Sequence, residues 1–192
     1  MPTEIGGLPA HVLLIHAIVV LAPLGALFTI LSAVWPAARH KLGVISPLTC
    51  LVVLALVPVT TNAGEWLEDR LTENGPNAAI EKHADLGDTF LWFAIGLFVV
   101  SAAVWWVGRV DDRAAATRPE ATRPEADGTG GPGGPGATAT AVRPTARTAV
   151  PVAVRVAVAV VAIAVSLVTV WQLYRIGDTG ADATWDFVQK LK

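Results

Sequence analysis

Residues 8–28 read L-P-A-H-V-L-L-I-H-A-I-V-V-L-A-P-L-G-A-L-F, with histidines at positions 11 and 16. No Asp, Glu, Lys or Arg occurs between Glu4 and Arg39. A run of this length crosses a hydrocarbon layer of about 30 Å as a helix rising about 1.5 Å per residue. An imidazole inside such a run is costly to bury, which makes it a candidate for function. The stretch therefore fixes the class of the protein and supplies its first candidate site.

Three more apolar runs follow. The pattern predicts four spanning helices, near Val12–Trp35, Val44–Thr61, Asp88–Val107 and Val156–Tyr174. The composition agrees, with 53% hydrophobic and only 16% charged residues. Both lie on the membrane side of soluble averages. The expected fold is all-α, a polytopic bundle of four transmembrane helices. The first helix reads as a retained anchor: the start of the chain carries Glu4 in place of a basic region and offers no small-residue cleavage site. Cys50, the one cysteine, falls inside the second helix and reads as a small packing residue.

Basic residues set the expected orientation. Arg39, Lys41, Arg109, Arg113, Arg118, Arg123, Arg143, Arg147 and Arg155 fall on one side, nine of the fourteen. Positive residues stay cytoplasmic, so both termini are expected outside. Trp35, Trp105 and Trp106 would mark the inner interface, and Trp66 and Trp171 the outer one.

Three parts are expected. Residues 1–108 hold helices one to three with short loops. Residues 109–148 include T-R-P-E-A-T-R-P-E-A and G-T-G-G-P-G-G-P-G and read as a disordered Pro/Gly/Ala-rich cytoplasmic linker. Residues 149–192 hold helix four and an outer tail, read as a short amphipathic piece lying back on the surface. Residues 62–82 read as an acidic outer loop with a turn at Asn74-Gly75-Pro76-Asn77.

Under this topology His11, His16 and His83 gather near the outer face, while His40 lies in the inner basic loop. Glu65 and Asp88 stand close by as further ligands or as groups orienting them. Imidazole with carboxylate suits a transition metal, and two histidines on different helices of a bundle suit a b-type haem. Five residues rotate a helix by roughly 140°, so His11 and His16 do not share a face. His11 and His83 fit one haem better, being nearly level. The cost of burial puts His16 toward the bundle interior, and His11 and His83 are expected to meet at the outer mouth with Glu65 or Asp88 nearby.

Several short motifs resemble a bacterial family, domain of unknown function 2231. The histidines five apart after L-P-A resemble its H-P-x-x-V-H-F opening, with Val12 in place of the proline and Ala17 in place of the aromatic. Gly64-Glu65-Trp66 is similar to its Gly-to-acidic-Trp pattern, and His83-Ala84-Asp85-Leu86-Gly87 to its H-x-x-L-G element. The tail Ile176–Trp185 resembles actinobacterial members. The resemblance implies a multi-pass protein of the bacterial plasma membrane with four spanning helices. Some relatives of this type are joined to iron–sulfur modules, which implies redox work, although this chain has no Cys/His cluster to hold one.

Three functions follow as expectations. The first is a redox-associated membrane protein binding haem or metal through the outer histidines. The second is a non-catalytic membrane subunit or scaffold that packs against a partner protein or a second copy. The third is a small transporter, ranked last because the inner halves offer few polar groups beyond Thr29, Ser32, Ser46, Thr49, Ser101 and Ser166. No nucleophile-and-base pair, phosphate loop or nucleic-acid patch appears, so independent enzymatic activity and nucleic-acid binding are not expected. The lipid bilayer is an expected partner, beside a membrane partner protein or a second copy of the chain.

Overall fold

A computed structural model describes residues 4–73, 75–116 and 149–190. A two-residue hairpin opens the chain, with β1 (Glu4–Ile5) paired to β2 (Leu8–Pro9). Gly6 and Gly7 form its turn at φ of 61° and 80°, where side chains are disfavoured. Five helices follow: α1 (Ala10–Val34), α2 (Pro36–Leu42), α3 (Ile45–Leu71), α4 (Ala78–Ala116) and α5 (Val152–Lys190). The four long ones each contain an apolar segment able to cross a membrane. They pack in a ring. α1 lies beside α3 and α5, α4 lies beside the same two, and α1 also touches α4 across the centre.

The apolar residues do not all turn inward. Val19, Val20, Leu27, Leu51, Val99, Val160, Leu167 and Val168 are exposed on the bundle surface. A protein in water rarely leaves such continuous apolar faces uncovered, whereas lipid tails cover them at no cost. The chain is a multi-pass integral membrane protein. Its interior is narrow and built from small residues. Ala22, Ala26, Cys50, Val53, Ala94, Leu97 and Ala162 are buried. A layer of hydroxyls crosses it, with Ser46 Oγ 2.9 Å from Ser101 Oγ and 3.3 Å from Thr29 Oγ1. Small residues of this kind let helix backbones approach in lipid, and the hydroxyls bond across them.

The structure corrects several expected boundaries. α3 runs on to Leu71 and α4 begins at Ala78, so the acidic loop shrinks to residues 72–77. Of the turn expected at 74–77, residue 74 lies outside the described residues; Gly75 has φ 132° and Asn77 Oδ1 accepts from the Ala79 N–H at 3.0 Å as a helix cap. α4 continues past the expected linker start at 109 to Ala116, over an alanine-rich end of high helix propensity. The expected linker disorder over 117–148 lies outside the described residues. The tail does not fold back. α5 continues as a helix through Gly177 and Gly180, where the tail was expected to turn back as a short amphipathic piece. The unforeseen α2 begins with Pro36 at its first turn, and its Arg39 Nε donates to the Ser32 carbonyl at 2.9 Å, satisfying the end of α1.

The two halves, α1 with α3 and α4 with α5, correspond along most of their buried faces. The shift that carries His11 onto His83 carries the buried Ile18, Ala22, Gly25 and Thr29 onto the buried Phe90, Ala94, Leu97 and Ser101. The shift that carries Gly64 onto Gly180 carries the buried Cys50, Val53, Val57 and Thr60 onto the buried Ser166, Thr169, Leu173 and Ile176.

Candidate functional site

His11 stands in the first turn of α1, and Pro9 before it starts the helix. Its Nδ1 lies 2.9 Å from the Thr60 carbonyl of α3. A carbonyl only accepts, so Nδ1 is the donor in this bond. The ring lies flat on α3 because position 64 is glycine: a Cβ there would stand 2.9 Å from Nδ1 and 3.1 Å from Cε1.

His83 repeats this arrangement on the other two helices. It lies near the start of α4, and its Nδ1 donates to the Ile176 carbonyl of α5 at 3.0 Å. The Thr179 hydroxyl adds a contact at 3.3 Å. The ring covers Gly180, where a Cβ would stand 3.0 Å from Cε1. In both cases the anchoring carbonyl and the glycine are one helical turn apart on the same helix, so they share a face. The Thr179 hydroxyl meanwhile bonds the backbone of its own helix, at the Ile176 carbonyl 3.0 Å away.

The two imidazoles meet. Their centroids are 6.4 Å apart and their planes perpendicular. This fulfils the expected approach of His11 to His83. Among the described residues no hydrogen bond engages either Nε2. His83 precedes the apolar part of α4 yet is half-buried. Burial pushes its pKa below the usual histidine range, and proximity to His11 adds to this, while the Ile176 bond opposes it. Each ring thus has its orienting bond already made through Nδ1.

His16 corrects the expectation. It is exposed on the lipid side of α1, and its Nδ1 bonds the Val12 carbonyl of its own helix. The roughly 140° rotation from an inward His11 leaves it no other face, and the local carbonyl satisfies it there. It takes no part in the pair. Glu65 and Asp88 are both exposed, and among the described residues the hydrogen bonds of the two imidazoles go to Thr60, Ile176 and Thr179 instead. The carboxylates instead surround Glu68. Partial burial first, then Asp69, Asp88, Asp85 and Glu81, hold its carboxyl above the usual range. This rim lies along α3 and α4, on one side of the pair. His40 sits at the opposite end of the bundle, exposed and 3.8 Å from Asp112.

Sequence reasoning missed Gly64 and Gly180 as part of the site. Gly64 stood within a motif quoted for its acidic and aromatic neighbours, and Gly180 lay in a tail read as folding back on the surface. The available signal was a glycine near the end of each helix that returns to the histidine end. Among the described residues, no group of three His, Cys, Asp or Glu side chains could hold a metal ion. No protein-family model, curated protein or solved structure matches the chain.

Proposed function

We propose that this protein is a membrane haem protein of the redox-associated kind, with a b-type haem held between His11 and His83 at the outward-facing end of the bundle. The supporting observation is the pair itself: two level imidazoles on facing helices, each with Nδ1 tied to a backbone carbonyl and Nε2 unspent. An imidazole centre stands about 3 Å from a metal it ligates, given a metal–nitrogen bond of about 2 Å. Two trans imidazoles on one ion are therefore about 6 Å apart, near the 6.4 Å found here. Two ligands in a tetrahedral set would come closer, and such a set lacks a third donor among the described residues. A haem supplies the four equatorial nitrogens and asks the protein for two axial ones. The carbonyl bonds raise the basicity of both rings and fix their planes.

The proposal includes the orientation read from the basic residues, with both termini outside, a bacterial plasma membrane, and kinship to the domain-of-unknown-function-2231 family. The protein would act within a larger assembly, passing electrons to or from a partner.

The test is an absorption spectrum of the protein purified in mild detergent after expression with haem precursor. A Soret band at about one haem per chain is expected, lost or moved in both His11→Ala and His83→Ala and unchanged in His16→Ala. Haem-free wild-type protein would mean that the rings simply pack edge to face, as aromatic rings 4.5–7 Å apart do.

A further inference from the structure

We infer that His11 and His83 are equivalent ligands on an internal two-fold axis, and that they close both axial positions of the iron, so that the site takes no oxygen, carbon monoxide or other external ligand. This rests on the haem reading and deepens it. Three independent features carry it.

The first is the tethering. Each ring has the same pair of anchors, a carbonyl bond from Nδ1 and a glycine floor one turn further along the same helix. A labile axial side would be expected to lack one of these anchors. Here neither side does, and His83 even gains a contact from Thr179.

The second is the register. A buried stripe recurs with every turn, so an arbitrary shift aligns two stripes about one time in four. Here the shifts are set beforehand by the histidines and the glycines. They then align the buried positions along both helix pairs, including polar with polar at Thr29 and Ser101, and thiol with hydroxyl at Cys50 and Ser166.

The third is direction. α1 and α4 both start at the histidine end, and α3 and α5 both finish there. The axis relating the halves therefore runs along the bundle and through the gap between the two rings. A group bound on that axis meets the same donor from both sides. His11 and His83 would together hold such a haem iron from both sides, and an external ligand would have to displace a histidine held at two points.

The test reads coordination, which is separable from haem binding. Reduced wild-type protein is exposed to carbon monoxide, and the Soret band is expected not to move. His11→Ala and His83→Ala are expected to behave alike, either both giving five-coordinate haem that binds carbon monoxide or both losing the haem. His11→Met and His83→Met keep a ligand at each position and guard against loss of the fold. Each is expected to raise the midpoint potential, as His/Met ligation does, and by similar amounts. Haem that is present but binds carbon monoxide in the wild type overturns this inference and leaves the haem proposal standing. So does a wild-type spectrum kept by one alanine variant and not the other. Protein without haem overturns both.

Discussion

The α1–α3 hairpin and the α4–α5 hairpin hold the same half-site on the same buried face, yet they differ nearly everywhere else. The shared features are those that touch the ring: the histidine, the carbonyl that orients it and the glycine it covers. The differences lie at the surface and the connections. Glu68 of α3 corresponds to Thr184 of α5, and Asp88 of α4 to His16 of α1. Short α2 joins one pair, whereas residues 117–151 join the other. Two versions of one design within a single chain separate what the site requires from what the membrane and its surroundings allow.

The glycines give the largest test of that comparison. Alanine is the better helix former by about 1 kcal/mol, so propensity alone would make Gly64→Ala and Gly180→Ala stabilising. The rings leave no room for the methyl group, which would stand 2.9 Å from His11 Nδ1 in one case and 3.0 Å from His83 Cε1 in the other. Each ring must move and its carbonyl bond weaken. Overpacking of this kind costs about 1–3 kcal/mol. Both variants are expected to lower the melting temperature in detergent, and Gly177→Ala, with open space around its Cβ, to raise it slightly. A fall for only one of the two site glycines would break the equivalence of the halves.

These glycines also mark the limit of what the sequence made legible. The four spans, the bundle and the meeting of His11 with His83 followed from apolar runs and level positions. The repeat did not, because lipid-facing positions tolerate almost any apolar residue. Ile18 and Phe90 occupy equivalent buried positions without resembling each other. The tail was expected to lie back as a short amphipathic piece, whereas α5 runs on through Gly180, the glycine on which the His83 ring lies. His16 was misplaced because the cost of a buried imidazole was weighed without the carbonyl four residues back that satisfies it.

A smaller effect separates the hydroxyl layers. Ser46 bonds Ser101 at 2.9 Å, while its counterpart Ala162 has no hydroxyl to offer. Hydrogen bonds between membrane helices average about 0.6 kcal/mol. Ser46→Ala, which makes the halves more alike, is expected to cost about that much in a detergent unfolding titration. A loss several times larger would mean that the layer anchors one half in a way the other does not need.

The pH response should sharpen the comparison further. The pKa of His83 is depressed in the folded state, so folding favours its neutral form. Its contribution is full above the ordinary histidine value of about 6.5 and is lost as pH falls through the lower folded value. Glu68 has the opposite sign: its raised pKa gives a contribution present at acid pH and lost as pH rises through the folded value. Melting temperature is therefore expected to fall below about pH 6.5, with the slope reduced in His83→Gln. Glu68→Gln is expected to give a small rise near neutral pH that fades with added salt, since neighbouring carboxylates are partly screened there.

The connections should matter least. In the first half a short helix suffices to bring the chain back from α1 to α3. In the second half the two helix ends are also held together directly. The Val150 N–H donates to Asp111 Oδ1 at 3.0 Å, and Arg155 lies 3.3 Å from Asp111 Oδ2. The chain thus leaves α4 and rejoins α5 at points already tied, so the intervening length acts mainly through loop closure. Each doubling of such a loop changes stability by only about 0.6 kcal/mol. Replacing residues 119–146 with a short Gly/Ser segment is expected to leave the melting temperature and the His11–His83 site unchanged. Asp111→Ala in the shortened chain should cost more than the deletion itself. A large loss from the deletion alone would show that residues 119–146 dock on the bundle, and that the halves differ in packing as well as in connection.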